Sequence, residues 1–283
     1  MKRRFAKYSV IAIVVMIGTS VGHAQRIAVL TPDNSETSKR FATLIEQGLK
    51  NVVVIDHDLA RSAFDAAKFD TPYNLTLEQA RHVGQAIGCD FFVLLRSALQ
   101  RRSSFEKEEY YDATVAVFLV STRTGRLVGF TTHASTESKP DAAVHKLESL
   151  LTNDGRSMAE AVKAIQKEEL TAKPPPAMEE PPDEGSPLAQ NFRPPVPFQR
   201  IKPLYTKLAE QHDVTATVEL QVDLDETGKV IRTQTTRWAG FDLDESVDKA
   251  VRQMNWRPAE RNGKFIPMRF LVRYNFKKTE KPK

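Results

Sequence analysis

One stretch near the end of the chain leaves little freedom in how it can fold. Val214, Ala216, Val218, Leu220, Val222 and Leu224 are apolar, and Thr215, Thr217, Glu219, Gln221 and Asp223 between them are polar. Successive side chains of a strand point to opposite faces. The run therefore predicts a β-strand with one buried and one wet face, and a slip of one residue would turn every apolar group to water. Asp225-Glu226-Thr227-Gly228-Lys229 reads as a turn in which Gly228 supplies positive φ, and Val230 to Trp238 returns antiparallel. Asp242 is expected to cap a helix, with Glu245 as its capping-box partner. Leu243, Val247, Ala250, Val251 and Met254 then form one apolar stripe that must lie on the sheet.

Trp256 and Pro258 end that helix, Arg261-Asn262-Gly263-Lys264 turns the chain, and Phe265 to Phe276 alternates again. Ile266, Met268, Phe270, Val272, Tyr274 and Phe276 share one face; Pro267, Arg269, Leu271, Arg273 and Asn275 share the other. Pro267 has no N–H and suits an edge strand. Arg269 and Arg273 are read as charges that keep an open edge from pairing indiscriminately. An edge strand leaves backbone groups unpaired, and an extended partner can complete them by β-augmentation. Met268, Arg269, Phe270, Leu271, Val272, Arg273, Tyr274, Asn275 and Phe276 are therefore the candidate partner-binding residues.

Prolines divide the rest of the chain. Residues 170–198 contain Pro174-Pro175-Pro176, Glu179-Glu180-Pro181-Pro182 and Pro194-Pro195, and read as a stiff, acidic spacer or a disordered tether. Residues 25–169 read as an α/β sandwich with a mixed sheet, in the order β-α-β-α-β-β-β-α. Arg26-Ile27-Ala28-Val29-Leu30, Val52 to Ile55 and Phe91 to Leu99 are its strands, and Tyr111 to Val120 with Arg126 to His133 is a hairpin. Helices are expected over Ser35 to Lys50, over Leu75 to Ile87 with Thr76 as N-cap, and over the alanine-rich Asp141 to Lys167. Residues 199–283 complete an α+β chain.

Residues 1–24 are expected to be a cleaved signal peptide. Lys2, Arg3, Arg4 and Lys7 precede an apolar run of about 14 residues, roughly 21 Å of helix against a hydrocarbon core of about 30 Å. Small residues flank a cut after Ala24. This predicts a periplasmic protein, an uncleaved inner-membrane anchor being the alternative.

Little in the sequence points to catalysis. The six histidines make no His-x-x-x-His or His-Glu-x-x-His pattern, so no metal or other cofactor is expected. There is no Gly-x-Ser-x-Gly elbow and no phosphate loop. Asp56-His57-Asp58 follows a strand, but adjacent side chains diverge and a solvated loop is the simpler reading. Cys89 is the only cysteine, which excludes an intramolecular disulfide. A net charge of +5 does not point to nucleic acid. Arg101-Arg102 and Lys107, with Glu106, Glu108 and Glu109, read as a solvated loop tip.

Taken in order, several short pieces of the last third form a family pattern. They are Pro203-Leu204-Tyr205, Asp225 to Val230, Leu243-Asp244, Ala250-Val251-Arg252, Trp256-Arg257-Pro258-Ala259, Asn262-Gly263-Lys264 and Phe276. This set resembles the TonB carboxy-terminal domain. Three positions depart from the pattern: Thr206 stands where the family usually has proline, Ala216 where a glycine often lies, and Arg237-Trp238-Ala239-Gly240 where Ser-Ser-Gly is usual. The resemblance implies a two-helix, three-stranded antiparallel domain. It also implies a partner, the extended amino-terminal box of a TonB-dependent outer-membrane transporter. An inner-membrane proton-channel complex is a further partner if the amino terminus is retained, although His23 sits beside the expected cut and not within a span. Val83 to Val93 resembles, more weakly, the helix-to-strand turn of TolB amino-terminal and curli-secretion periplasmic domains, with Gly88 as helix stop. A homodimer through the last strand is the other association the edge allows. A structural envelope adaptor that binds partners through residues 25–169, without energy coupling, is the alternative function.

Overall fold

Ile27-Ala28-Val29-Leu30 is buried on both faces, as a strand between two layers requires. It is the core of β1 (Arg26–Leu30). In the computed structural model, which describes residues 24–105 and 108–278, the chain continues through α1 (Glu36–Gly48), β2 (Val53–Val54), α2 (His57–Ala66), α3 (Leu77–Ile87) and β3 (Phe91–Arg102). Next come β4 (Tyr110–Ser121), β5 (Leu127–Glu137), α4 (Pro140–Leu151) and α5 (Asp154–Thr171). The sheet order is β2-β1-β3-β4-β5, parallel across β2-β1-β3 and antiparallel beyond, so the expected mixed sheet forms. The expected signal segment with His23, and Glu106 and Lys107, lie outside the described residues. Among the described residues no helix is long and apolar enough to cross a membrane.

Alternation along the strands sorts the core. Val93, Leu95, Val115, Val117 and Leu119 meet α1, α4 and α5, while Phe92, Leu94, Ala116, Phe118 and Val120 belong to the opposite layer with α2 and α3. Two local expectations hold. Thr76 caps α3 in a full capping box with Gln79, and Gly88 ends that helix in the left-handed region. Two do not. Asp56-His57-Asp58 opens a helix, because the Asp56 carboxylate accepts the Leu59 amide as its N-cap. The alanine-rich helix breaks at residues 152–153, where α5 begins a crossing over α1. A Cβ on Gly155 would overlap the Ile45 carbonyl oxygen, so the crossing needs glycine.

The second unit comprises β6 (Phe192–Arg193), β7 (Val196–Pro197), α6 (Lys207–Gln211), β8 (Ala216–Leu224), β9 (Val230–Arg237) and α7 (Leu243–Gln253). β10 (Trp256–Arg257), β11 (Ala259–Arg261), β12 (Lys264–Ile266) and β13 (Met268–Phe276) follow. Its main sheet has the order β13-β8-β9, all antiparallel, with Leu243, Val247, Ala250 and Val251 of α7 buried against it. The end of the presumed spacer is not extended tether: β6 pairs with β11 and β7 with β10. Short extended pieces beside prolines suit such edges, because the missing proline donors face away from the pairing. Asp242 holds the N-cap position of α7, but its side chain makes no capping hydrogen bond and the expected box with Glu245 does not form. Positive φ at Phe241 and Asp242 turns the chain into α7, and the carboxylate that meets the backbone donors is that of Asp244, from Ala239 and Gly240.

The two units share one apolar cluster. Helix α2 packs on β1 and α3 on β4, and the space beside Phe118 of β4 and Phe130 of β5 is left to other partners. Trp238 and Phe241 of the second unit fill that space, with ring centroids 5.9 and 5.7 Å from Phe118. Trp238 Nε1 donates to the Gly125 carbonyl at 3.0 Å. Asn74 works like a strand residue: its amide donates to the Thr217 and Trp238 carbonyls and its oxygen accepts the Thr217 N–H. A bridge between Thr76 and Arg237 and a bond from Trp238 N–H to the Leu75 carbonyl complete the seam.

Candidate partner-binding edge

Strand β13 is the outer strand of its sheet and pairs with β8 along its full length, from Met268 opposite Leu224 to Phe276 opposite Ala216. Its inward face is built as the alternation predicts. Met268 and Phe276 are buried, Phe270 meets Trp256 edge-on at 5.1 Å, and Val272 and Tyr274 pack partly on the same cluster. Leu271 and Asn275 are exposed on the other face.

That other face is not simply wet. Glu219 and Asp223 of β8 are only 7% and 2% exposed, because arginines from both neighbouring strands close over them. Arg269 grips Asp223 with two bonds, Nε at 2.7 Å and a terminal nitrogen at 2.8 Å, and Arg232 of β9 approaches it to 3.9 Å. Arg273 meets Glu219 at 2.7 Å, and Arg237 lies 3.6 Å from it. Arg269 and Arg273 therefore reach across the sheet to pair with β8, and do not stand guard at the edge. A planar guanidinium can do this because it bonds a carboxylate through two parallel N–H groups.

Among the described residues the spacer meets β13 at Arg269 through two hydrogen bonds, one of them from a terminal side-chain nitrogen to the Pro176 carbonyl at 3.4 Å. The Arg269 N–H donates to the Glu179 carbonyl at 2.7 Å, and the Glu179 carboxylate pairs with Arg261. Backbone direction alternates along an antiparallel strand. Because the Arg269 amide points outward, so do the N–H and C=O groups of Leu271, Arg273 and Asn275. No strand pairs with them among the described residues. All nine sequence-predicted residues lie in this one strand, and three of them offer open backbone.

Residues 201–277 match the model of the family described as Gram-negative bacterial TonB protein C-terminal. This unit is a TonB C-terminal domain. The match covers under a third of the chain. Among solved structures, the Pseudomonas aeruginosa TonB C-terminal domain is 18% identical, over 38% of this chain and 98% of that one, with a TM-score of 0.28. The lipoprotein GNA1162 of Neisseria meningitidis is 12% identical, over 46% of this chain and 96% of that one, with a TM-score of 0.34. The PelC dodecamer of Paraburkholderia phytofirmans is 12% identical, over 46% of this chain and 87% of that one, with a TM-score of 0.30. No curated protein matches the chain.

One departure of this TonB domain from the family pattern builds the seam with the first unit, and a second braces the loop that carries Phe241. Arg237-Trp238-Ala239-Gly240 supplies the bridge to Thr76 and the indole, while Gly240, at φ +69°, sits so near the Phe118 and Phe130 rings that a side chain would collide with them. Thr206 accepts the Ala209 amide as N-cap of α6 and donates to the Phe241 carbonyl. Sequence reasoning found these residues odd without finding their partners. The unmatched Trp238 was the only signal.

His57, the centre of the one cluster that suggested acid–base work, is absorbed by structure. Its Nδ1 lies 3.1 Å from the Val29 carbonyl, and Asp56 is a helix cap. Among the described residues no group of acidic, histidine or cysteine side chains could hold a metal ion.

His212 makes the seam sensitive to acid. Its ring centroid is 5.0 Å from that of Phe241, and its carbonyl accepts from Arg96 at 3.2 Å. Burial, helped by the Arg96 charge, pushes its pKa down to about 4 from 6.5. Between those values the unfolded chain holds the proton and the folded one does not, so this group makes stability rise with pH from about 4 to 6.5. Asp244 acts with the opposite sign: burial raises its carboxyl to about 7, so its contribution falls as pH rises from 3.8 to about 7. In an Asp244→Asn background, acidification from pH 6.5 to 4 should therefore destabilise the chain by about 1–2 kcal/mol, the part of the histidine effect left after solvent screening. His212→Gln in the same background should flatten that fall in a series of melting curves. An unchanged slope would place His212 outside the seam.

Proposed function

We propose that this protein works in the periplasm and captures an extended segment of a TonB-dependent outer-membrane transporter along β13. The single observation behind this reading is the open backbone at Leu271, Arg273 and Asn275, presented by a domain of a protein-interaction family. A peptide laid there gains main-chain hydrogen bonds, and its alternate side chains can be read by Leu271 and the arginine-topped face.

The contact from Glu179 makes capture conditional. The acidic spacer occupies the first open donor of the edge, so an incoming segment competes with a tethered one. Its loss removes a backbone hydrogen bond and an ion pair, together about 1–1.5 kcal/mol, or roughly tenfold in affinity.

The test uses the full chain with Leu271→Cys or Asn275→Cys and a thiol-reactive peptide carrying a transporter box sequence. Native Cys89 gives little background, being 6% exposed with its thiol pushed up to about 11 by burial. Box peptide should label both positions, a scrambled peptide neither, and replacement of residues 176–180 by glycine and serine should raise capture about tenfold. Equal labelling by the scrambled peptide removes the sequence-specific reading. Disulfide dimers without peptide would point to a second copy on the edge. Deleting residues 199–283 is a poor test of the adaptor alternative, because it strips Phe118 and Phe130 of their cover.

A further inference from the structure

The second edge of the TonB domain's sheet faces a cleft of about 860 Å³ between the two units. Arg232, Thr233, Gln234 and Thr235 of β9 all line it. Four consecutive residues of a strand alternate faces, so a space that meets all four runs along the strand's edge. Pairing on that edge has already begun at one end, where Leu75 and Thr76 bond Trp238 and Arg237. The chain then leaves the edge, because Thr76 is the N-cap of α3 and Leu77 turns into the helix. Residues 232–235 are left with open space beside them.

The opposite wall is basic. Arg81 of α3 and Arg123 and Arg126 of the β4–β5 turn line the cleft, and the three side chains make no ion pair or hydrogen bond among the described residues. The acids nearby are largely engaged. Asp244 accepts the Ala239 and Gly240 amides, Asp248 pairs with Arg252, and Glu169 accepts the Ser121 and Thr124 hydroxyls. Of the three acids that line the cleft, Glu245 is the one left to offset the three cations. A peptide with alternate acidic side chains is what matches an open strand edge facing such a wall: its backbone pairs with β9 and its carboxylates meet the arginines. A disordered polyanion or a membrane would use the charges and leave the edge unused.

The geometry points to a second binding site, in which an extended acidic peptide segment of a partner pairs along Arg232 to Thr235 with its carboxylates on Arg81, Arg123 and Arg126. The cleft is distinct from β13, which lies at the far edge of the same sheet, so both sites can be filled together.

A fluorescein-labelled peptide of alternating glutamate and valine tests this on the full chain by anisotropy at low salt. Arg81→Glu/Arg123→Glu/Arg126→Glu should weaken binding at least about tenfold, and the corresponding glutamine variant should weaken it less. All three side chains are exposed, so melting temperature should not change. A thiol-reactive version of the peptide should label Gln234→Cys in preference to Asn275→Cys, and saturation of β13 with a box peptide should leave binding intact. Three results would each overturn the proposal: wild-type affinity in the glutamate variant, preferential labelling of Asn275→Cys, or equal competition by phosphatidylglycerol vesicles at matched charge.

Discussion

Trp238→Ala is expected to lower the free energy of unfolding by about 3–5 kcal/mol, the usual range for emptying a buried large aromatic site. The indole is 2% exposed and lies between the units, beside Phe118 and under the β4–β5 turn. Its removal leaves a cavity that neither unit can close alone, because the walls belong to different sheets. It also orphans the Gly125 carbonyl, which accepts from the indole nitrogen and has little access to water. Trp238→Phe refills most of the volume without the donor, and should cost about half as much. Urea titration followed by circular dichroism reads both. A second signature is expected in the alanine variant: one cooperative transition splits into two, as each unit unfolds on its own. A loss under about 1 kcal/mol with a single transition would mean that the seam does not hold the units together in solution.

Asp223→Ala should have a comparable effect, about 3–5 kcal/mol, for an electrostatic reason. Asp223 is buried under Arg269 and Arg232, and its two oxygens take both bonds from Arg269. Without it, two guanidinium groups face each other across β8 with no counter-charge. Breaking one side of a buried pair costs more than the pair itself contributes, so replacing both partners is the informative control. Asp223→Val/Arg269→Leu should recover most of the loss, and the double-mutant cycle gives the coupling directly. The single variant should also weaken peptide capture, because Arg269 anchors the start of β13 next to the first open donor. Unchanged stability in the single variant would show that water reaches this pair freely.

The structure joins these two results. The TonB domain is held at its Arg237–Gly240 loop by the first unit, while its far edge faces outward under partial cover from the spacer. Strand β13 is connected through β8 and β9 to Trp238, and through its packing to the mixed sheet. On the function proposed above, the first unit would serve as a mount for the capturing strand, and the spacer, which contacts the edge at Arg269, would compete for it.

Local chemistry was legible from the sequence. The alternation at 214–224 and 266–276 determined two strands and their inward faces, because side-chain direction repeats every two residues whatever lies nearby. Thr76, Gly88 and Gly228 marked a cap, a stop and a turn through their own backbone preferences. The order of short motifs from Pro203 to Phe276 determined the TonB domain. Tertiary structure alone decided what those elements meet. Glu219 and Asp223 looked like solvent-facing positions and are buried, because arginines of β9 and β13 close over them from both sides. Trp238 looked like a variation within a family turn and is the wedge between two units. The Glu179 carbonyl on β13 and the open arginines beside β9 depend on segments far apart in the chain, brought together by packing whose energy no local period encodes.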